Sequence, residues 1–453
     1  MLNYSSAFRA ALDKRIRNLG HCLVNMTWPN SSTTVTIDDH IINNVKLIDE
    51  VDPLCRSLPI HTCEVSVFDF NGTYSPGNPN SSFSSFKPFT MFIQFQIESD
   101  TGTLIDGPRY IYKVYEVPKW RNYIATFKGT RIESYFNEEF YEFYGLREKD
   151  AYDVASTLAK DKIASATIRF VQFRVPSATA FPVTSRINCL QLLTGACGTT
   201  LAFTYEGNVT VKDYTAVQDS GLKVQEKDMF SYPVMDYDLP TVANEIVNMY
   251  DSSPVSSGKV EVCKLQKRYS TLTRVTEVLD VDGIAVDEYP TITATNATDV
   301  SVNLYARKAE ITLTPTSILE DVVVAVSAMQ CKPSAIPSVY LVDVDGNESE
   351  TVDNPVCGAS VASNVAYYRS NYLKNLSHAY AVDYRGNPAI EPLDIISVEL
   401  PIIGLKKCLV TRTEFSFDGA FKGKLYVKRI DSLSTTSAVA GKAIAGLAVS
   451  GSQ

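Results

Sequence analysis

The sequence is poor in the residues from which metal and acid–base sites are usually built. Only four histidines occur in 453 residues. They are His21, His40, His61 and His378, and none falls in an H-E-x-x-H or H-x-H spacing, so a zinc hydrolase lacks its ligand pair. The nine cysteines (Cys22, Cys55, Cys63, Cys189, Cys197, Cys263, Cys331, Cys357 and Cys408) are odd in number and contain no C-x-x-C. That pattern argues for reduced thiols packing as small hydrophobes, and for a reducing compartment. His21 beside Cys22, and His61 two residues before Cys63, have no second ligand pair. The chain has no G-x-S-x-G elbow, Walker loop or strand-borne G-x-G-x-x-G, so acyl transfer and phosphate chemistry lack their usual parts. Apolar runs of the ~18 residues that a membrane span needs are also missing. The first twenty residues hold no uninterrupted apolar stretch, so no signal peptide is expected, and the sequons at Asn25, Asn208 and Asn296 are expected to go unused. Positive charge is short as well: 42 Lys and Arg stand against 51 Asp and Glu, a net −9. A protein that wraps nucleic acid by neutralising phosphates leans the other way. No repeat at a fixed period is found.

What is present is an ordinary globular composition, 45% apolar and 21% charged, in a chain long enough for roughly two to four domains. Phe8, Leu12, Ile16 and Leu19 form one helical stripe, which predicts an N-terminal helical segment (1–25) that docks on a neighbouring chain or on the first domain. Period-two alternation then dominates residues 26–130. Cys63, Val65 and Val67 oppose Thr62, Glu64 and Ser66, and Ile93, Phe95 and Ile97 oppose Gln94 and Gln96. Tyr110–Val117 and Tyr123–Phe127 follow, with a turn-rich run at Asn71–Pro79 after the first strand. Residues 131–250 read as α+β. A helix is predicted where Ile132, Phe136, Phe140 and Phe143 share a face, closed by Gly145. A second is capped by Asp150, a third starts at Thr184 or Ser185, and a hairpin turns at Glu206-Gly207-Asn208. Residues 251–350 return to strands. In 351–433, Asn354-Pro355 predicts the cap and first turn of a tyrosine-rich helix, followed by strands at Ile395–Leu400, Lys407–Phe417 and Ala420–Arg429. The small-residue tail, 434–453, carries too few core-forming side chains to fold alone, so its deletion is expected to leave the melting temperature unchanged.

Three clusters invite a chemical reading and none satisfies it. Asp343–Glu350 is oxygen-rich, but the sixth and twelfth positions of a calcium loop would be Glu348 and Asn354 instead of glycine and glutamate, so an acidic turn is expected. Glu138, Glu139 and Glu142 suggest a glycosidase carboxylate pair, yet residues at this helical spacing form a solvated edge. Lys264, Lys267, Arg268 and Arg274 make a basic cluster too small for nucleic-acid binding against an acidic whole. Asp394, ahead of Ile395-Ile396-Ser397-Val398, reads as a strand start in preference to a catalytic acid. No residue is therefore nominated as catalytic, cofactor-binding or metal-ligating, and no cofactor is expected.

Four stretches, in order, resemble the hub-like structural proteins of bacteriophage tail tips and baseplates. They are Leu58-Pro59-Ile60-His61-Thr62 with its alternating strand and Tyr74-Ser75-Pro76-Gly77-Asn78-Pro79, extended by Trp120 and Ala125-Thr126-Phe127; Ser185–Gly198 leading into Tyr205-Glu206-Gly207-Asn208-Val209; Val352-Asp353-Asn354-Pro355-Val356; and Tyr384-Arg385-Gly386-Asn387-Pro388 through Ile396, continued by Thr413–Gly423. The sequence departs from the family at Pro392-Leu393-Asp394, where relatives usually carry P-G-D, and it shows no downstream lysozyme or peptidase domain. The resemblance implies an α+β, predominantly antiparallel β fold with two tube-type β-barrel domains and α+β insertions. It further implies a non-enzymatic, homotrimeric hub of the virion, assembled in the host cytoplasm. Such a hub joins the tail tube to distal tail and other baseplate proteins and surrounds a channel through which genome DNA passes without specific binding or membrane insertion. The alternatives are a tail-tip cell-wall hydrolase and a peripheral receptor- or carbohydrate-binding tail protein.

Overall fold

The computed structural model describes residues 5–14, 20–29, 31–32, 34–141, 150–163, 180–212, 219–238, 242–254, 257–285, 289–342, 348–376 and 378–430. The fold is α+β and mostly antiparallel β, built around one 14-stranded sheet. Its first half contains β1 (Gly20–Thr27), β2 (Thr34–Ile37), β3 (Ile42–Glu50), β4 (Ile60–Phe68), β5 (Phe89–Glu98), β6 (Leu104–Val114), β7 (Lys119–Arg121) and β8 (Ile124–Thr130). Residues 378–429 supply most of the second half. The seam between them is the antiparallel pairing of β3 with the strand Gly404–Phe417, where Leu47 faces Phe415 and Val45 faces Phe417. Among the described residues the strands run as an open path from Val234–Asp238 at one edge to β2 at the other, not as a closed barrel.

Period-two alternation explains the sheet. In β4 and β5 the residues expected to point inward, Cys63, Val65, Val67, Ile93, Phe95 and Ile97, are all buried in one core. Burial of such side chains contributes about 1.5–3 kcal/mol each. The core crosses the seam: the ring of Phe95 lies 4.8 Å from that of Phe415 and 5.9 Å from that of Phe421. The short helix α1 (Ser6–Leu12), capped by the Ser5 hydroxyl, buries Phe8 and Leu12 on this same core. Of the two docking options it takes its own first domain. Gly107 makes room for it, since a Cβ there would sit 2.4 Å from the Phe8 ring. β1 lies inside the stretch read as an N-terminal helix, because Cys22, Val24 and Met26 alternate inward.

The α+β insertion holds α2 (Ala151–Leu158), capped by Asp150, and α3 (Arg186–Ala196), capped by Ser185, as the cap residues predict. The helix predicted over 131–145 is not formed at its described positions. Ser134–Asn137 is a single 3-10 turn and Glu139–Phe140 is a short strand paired with Thr184–Ser185. Phe136 and Phe140 are both buried against α2 and α3 without a helix between them, because Glu138 turns extended (φ −65°, ψ 139°) and lets the backbone pair across. Phe143 and Gly145 lie outside the described residues. The tyrosine-rich helix α4 (Ala359–Asn375) exists but starts later than Asn354-Pro355 predicts, with Gly358 as cap. Asn354 instead closes a turn on the Val356 amide and donates to the Leu192 carbonyl, which ties the segment to α3.

Between the halves, two long antiparallel strands, Val242–Pro254 and Gln330–Leu341, form a ribbon. At its end, two three-stranded antiparallel sheets from residues 260–328 enclose a separate core. Of the acidic run Asp343–Glu350, expected as a turn, residues 343–347 lie outside the described residues, whereas Glu348–Glu350 begin the strand Glu348–Asp353, paired in parallel with Val242–Pro254; the tail from 431 also lies outside them.

Candidate functional site

Three features could carry function: two buried charge clusters that lock the parts together, a polar sheet face, and exposed apolar patches. The first cluster sits where β3, β4, β6 and residue 131 meet. Asp49 accepts from His61 Nδ1 at 2.9 Å and from Arg131 at 2.8 Å, and Arg131 also reaches the Tyr112 hydroxyl at 3.2 Å. The Arg131 guanidinium lies against the rings of Tyr110 and Tyr112, and the Tyr110 hydroxyl donates to the Pro388 carbonyl of the other half. Burial by itself would raise the Asp49 carboxyl, but Arg131 and His61 outweigh it and hold its pKa below the usual value. Burial pushes His61 the other way, down, with Asp49 opposing. His61 Nε2 has no hydrogen-bond partner among the described residues, and its ring stands edge-on to Phe203 of the insertion. His61 thus belongs to a charge cluster joining three parts of the chain.

In the second cluster Arg369 of α4 bonds Glu245 of the ribbon, the Leu54 carbonyl at 3.0 Å and Glu350 at 2.6 Å. Burial drives the Glu245 carboxyl up to about 7 despite Arg369, and its Oε2 has no partner among the described residues. Nearby, burial pulls Lys428 down to about 8, with its ammonium over the Tyr372 ring.

The wet face of the sheet is crossed by a row of alternating charge. Lys128 of β8 pairs with Glu64 of β4 at 3.4 Å, and Lys46 of β3 stands in register with Glu64. Lys46 meets Glu414 across the seam at 3.3 Å; Glu414 is in register with Lys424, which lies 4.0 Å from Asp383. Adjacent ion pairs, Arg412–Glu50 at 3.0 Å and Lys422–Asp418 at 2.6 Å, continue the pattern.

Large apolar side chains are exposed in two places. Phe230, Tyr232, Val234 and Met235 lie on or beside the edge strand Val234–Asp238. Phe68, Phe70, Trp120 and Tyr123 form a ring cluster with neighbouring centroids 6.0 Å apart. Asp69 fixes this cluster by accepting from the Thr73 and Tyr74 amides and from Trp120 Nε1.

The residues weighed from sequence are dispersed. Glu138 pairs with Lys160 at 3.3 Å on the surface, Glu139 is exposed on its two-residue strand, and Glu142 is outside the described residues. His21 bonds Asp39 at 2.5 Å. Lys267 and Arg268 are paired with Glu277 and Asp321, while Lys264 and Arg274 are exposed elsewhere on the same small sandwich. Asp394 caps the turn at Glu391, immediately before the strand Ile395–Leu400. No group of three or more His, Cys, Asp or Glu side chains fit to hold a metal occurs among the described residues. Sequence reasoning missed both buried clusters. Their local signals were charged residues at buried positions of strand, turn or helix, Asp49 and Arg131 in the first and Glu245 and Arg369 in the second.

No protein-family model matches the sequence, and no curated protein matches it. Among solved structures the chain is similar to a tail protein from Neisseria meningitidis, with 8% identity, 90% of this chain and 96% of that one covered, and a TM-score of 0.48. It is also similar to a tail protein of prophage MuSo2 from Shewanella oneidensis (9%, 90% and 98%, TM-score 0.46). A third is a prophage tail protein from Listeria monocytogenes (9%, 90% and 94%, TM-score 0.43).

Proposed function

We propose that this chain is a structural component of a bacteriophage tail tip or baseplate, a non-enzymatic hub that joins the tail tube to distal tail proteins around a DNA channel. The observation that carries the reading is the fusion of two β halves into one sheet whose edges are open among the described residues. Each half turns one face to a packed core and the other to water, and the sheet ends at β2 on one side and at Val234–Asp238 on the other. Unpaired strand edges bearing apolar side chains are surfaces that native proteins cover. A head-to-tail contact between such edges closes into a ring when the rotation allows. Three copies, each supplying two tube-like halves, would match a six-fold tube. The four sequence stretches support the same reading. Its test is negative-stain imaging and native mass measurement of the purified protein, alone and with tube protein. Three-fold rings are expected, and Met235→Lys at the exposed edge should dissociate them. A persistent monomer under both conditions would refute the hub.

One observation favours a second reading, a peripheral receptor- or glycan-binding tail protein: the exposed rings of Phe68, Phe70, Trp120 and Tyr123. It predicts host-glycan binding without ring formation, abolished by Trp120→Ala.

A further inference from the structure

The row Lys128, Glu64, Lys46, Glu414, Lys424, Asp383 alternates in sign across β8, β4, β3 and the strands 404–417, 421–429 and 378–384, and passes unbroken through the seam between the halves. Its ion pairs, Lys128–Glu64, Lys46–Glu414 and Lys424–Asp383, lie at 3.4, 3.3 and 4.0 Å. We propose that this row is a self-neutralised wall past which duplex nucleic acid moves without adhering; the proposal rests on the channel reading above. Phosphate adhesion comes from cations that exchange small counterions for the polyanion. Here each lysine already holds a carboxylate, which a phosphate would have to displace. Strands are about 4.8 Å apart, so the sign repeats about every 10 Å. The field of such a row cancels within roughly that distance, which is also about the screening length at 0.1 M salt. The wall therefore neither grips nor strongly repels a duplex. It carries latent phosphate sites that ion pairing silences.

The test is anisotropy of a labelled mixed-sequence duplex with three proteins: the unmodified chain, the row variant Glu64→Gln/Asp383→Asn/Glu414→Gln, and a control, Glu116→Gln/Glu261→Gln/Glu320→Gln. The control removes the same charge from exposed acids outside the row. The row variant should bind and the other two should not. With three lysines released, and Arg412, which also bonds Glu414 at 2.6 Å, still held by Glu50 at 3.0 Å, its affinity should fall about 40-fold between 50 and 200 mM salt, a log–log slope of about −2.7. Binding by the unmodified chain equal to that of the row variant overturns the proposal, as does a row variant no better than the control. If the triple variant does not fold, Glu64→Gln/Asp383→Asn frees Lys128 and Lys424 alone and should show a slope of about −1.8. Failure of the channel reading is separable. A monomer whose row variant still gains binding removes the channel and keeps the wall chemistry, whereas a ring without the gain does the reverse.

Discussion

Replacing Arg131 by methionine tests whether the Asp49 cluster holds the first half together. The side chain is 1% exposed and bonds Asp49 at 2.8 Å, beside the buried His61 ring on the other carboxylate oxygen. Methionine fills similar volume, so the change chiefly strands a buried carboxylate. Removing one partner of a buried ion pair costs about 3–5 kcal/mol. At about 2–4 °C per kcal/mol for a cooperative unit of 150–250 residues, the midpoint should fall by about 6–20 °C. Calorimetry of Arg131→Met, Asp49→Asn and the double variant measures this, and the double variant should be less destabilised than the two singles added. The sign with pH follows from the carboxyl. In the native protein the folded pKa of Asp49 is depressed, so its contribution is present above the unfolded value and lost as pH falls through the folded one. Without Arg131, burial dominates and the folded pKa rises, so the defect of the variant should shrink on acidification. A loss under about 1 kcal/mol, or strict additivity, would refute the argument.

His61 and Glu245 should tilt stability in opposite directions. Burial holds the folded pKa of His61 below the ordinary imidazole value, so its stabilisation is full above that value and declines as pH drops toward the folded one; His61→Leu should remove this decline in urea unfolding. Glu245, raised from 4.5 to about 7, stabilises least at high pH, and Glu245→Gln should abolish a loss of up to about 1.4 kcal/mol per pH unit over that window. Gly386 has φ +70°, and a Cβ there would lie 2.8 Å from the Lys422 backbone; Gly386→Ala should cost about 2–4 kcal/mol by denaturant titration. All nine cysteines are free and eight are buried, and burial pushes even the half-buried Cys55 up to about 11. A thiol reagent at pH 8 should therefore label the native protein slowly and all nine sites at once in denaturant.

Much of the β architecture was legible because alternation is a local signal: β4, β5 and the Ile395–Leu400 strand lie within two residues of their predicted limits. The caps Asp150 and Ser185 were legible for the same reason, each being a side chain bonded to its own next turn. The segment 131–140 was misread because aromatic residues four apart fit a helical face equally well as two separate buried contacts; the pairing of Glu139 with Ser185, far away in sequence, decided between them. The seam between β3 and Gly404–Phe417 left no trace in either segment, since its partners are more than 350 residues apart. The fourth resembling stretch gains a physical account only in three dimensions. Its Arg385 bonds the Lys14 carbonyl and its Pro388 receives Tyr110, so the turn fastens one half to the other. The charge row was unreadable for a related reason, because its neighbours are set by register across six strands.

The ribbon has a consequence for how such a chain diversifies. Pro254 and Cys331 are direct cross-strand neighbours, so the polypeptide departs and comes back at one place. Everything between them leaves the ribbon at two adjacent anchor points and fills its own interior with its own side chains, touching the insertion through a few contacts such as Arg307 to the Phe181 carbonyl at 3.1 Å and Tyr141 to Glu310 at 3.0 Å. Lineages can therefore swap, enlarge or discard that appendage at the cost of those few contacts, while the register of the main sheet stays as it was.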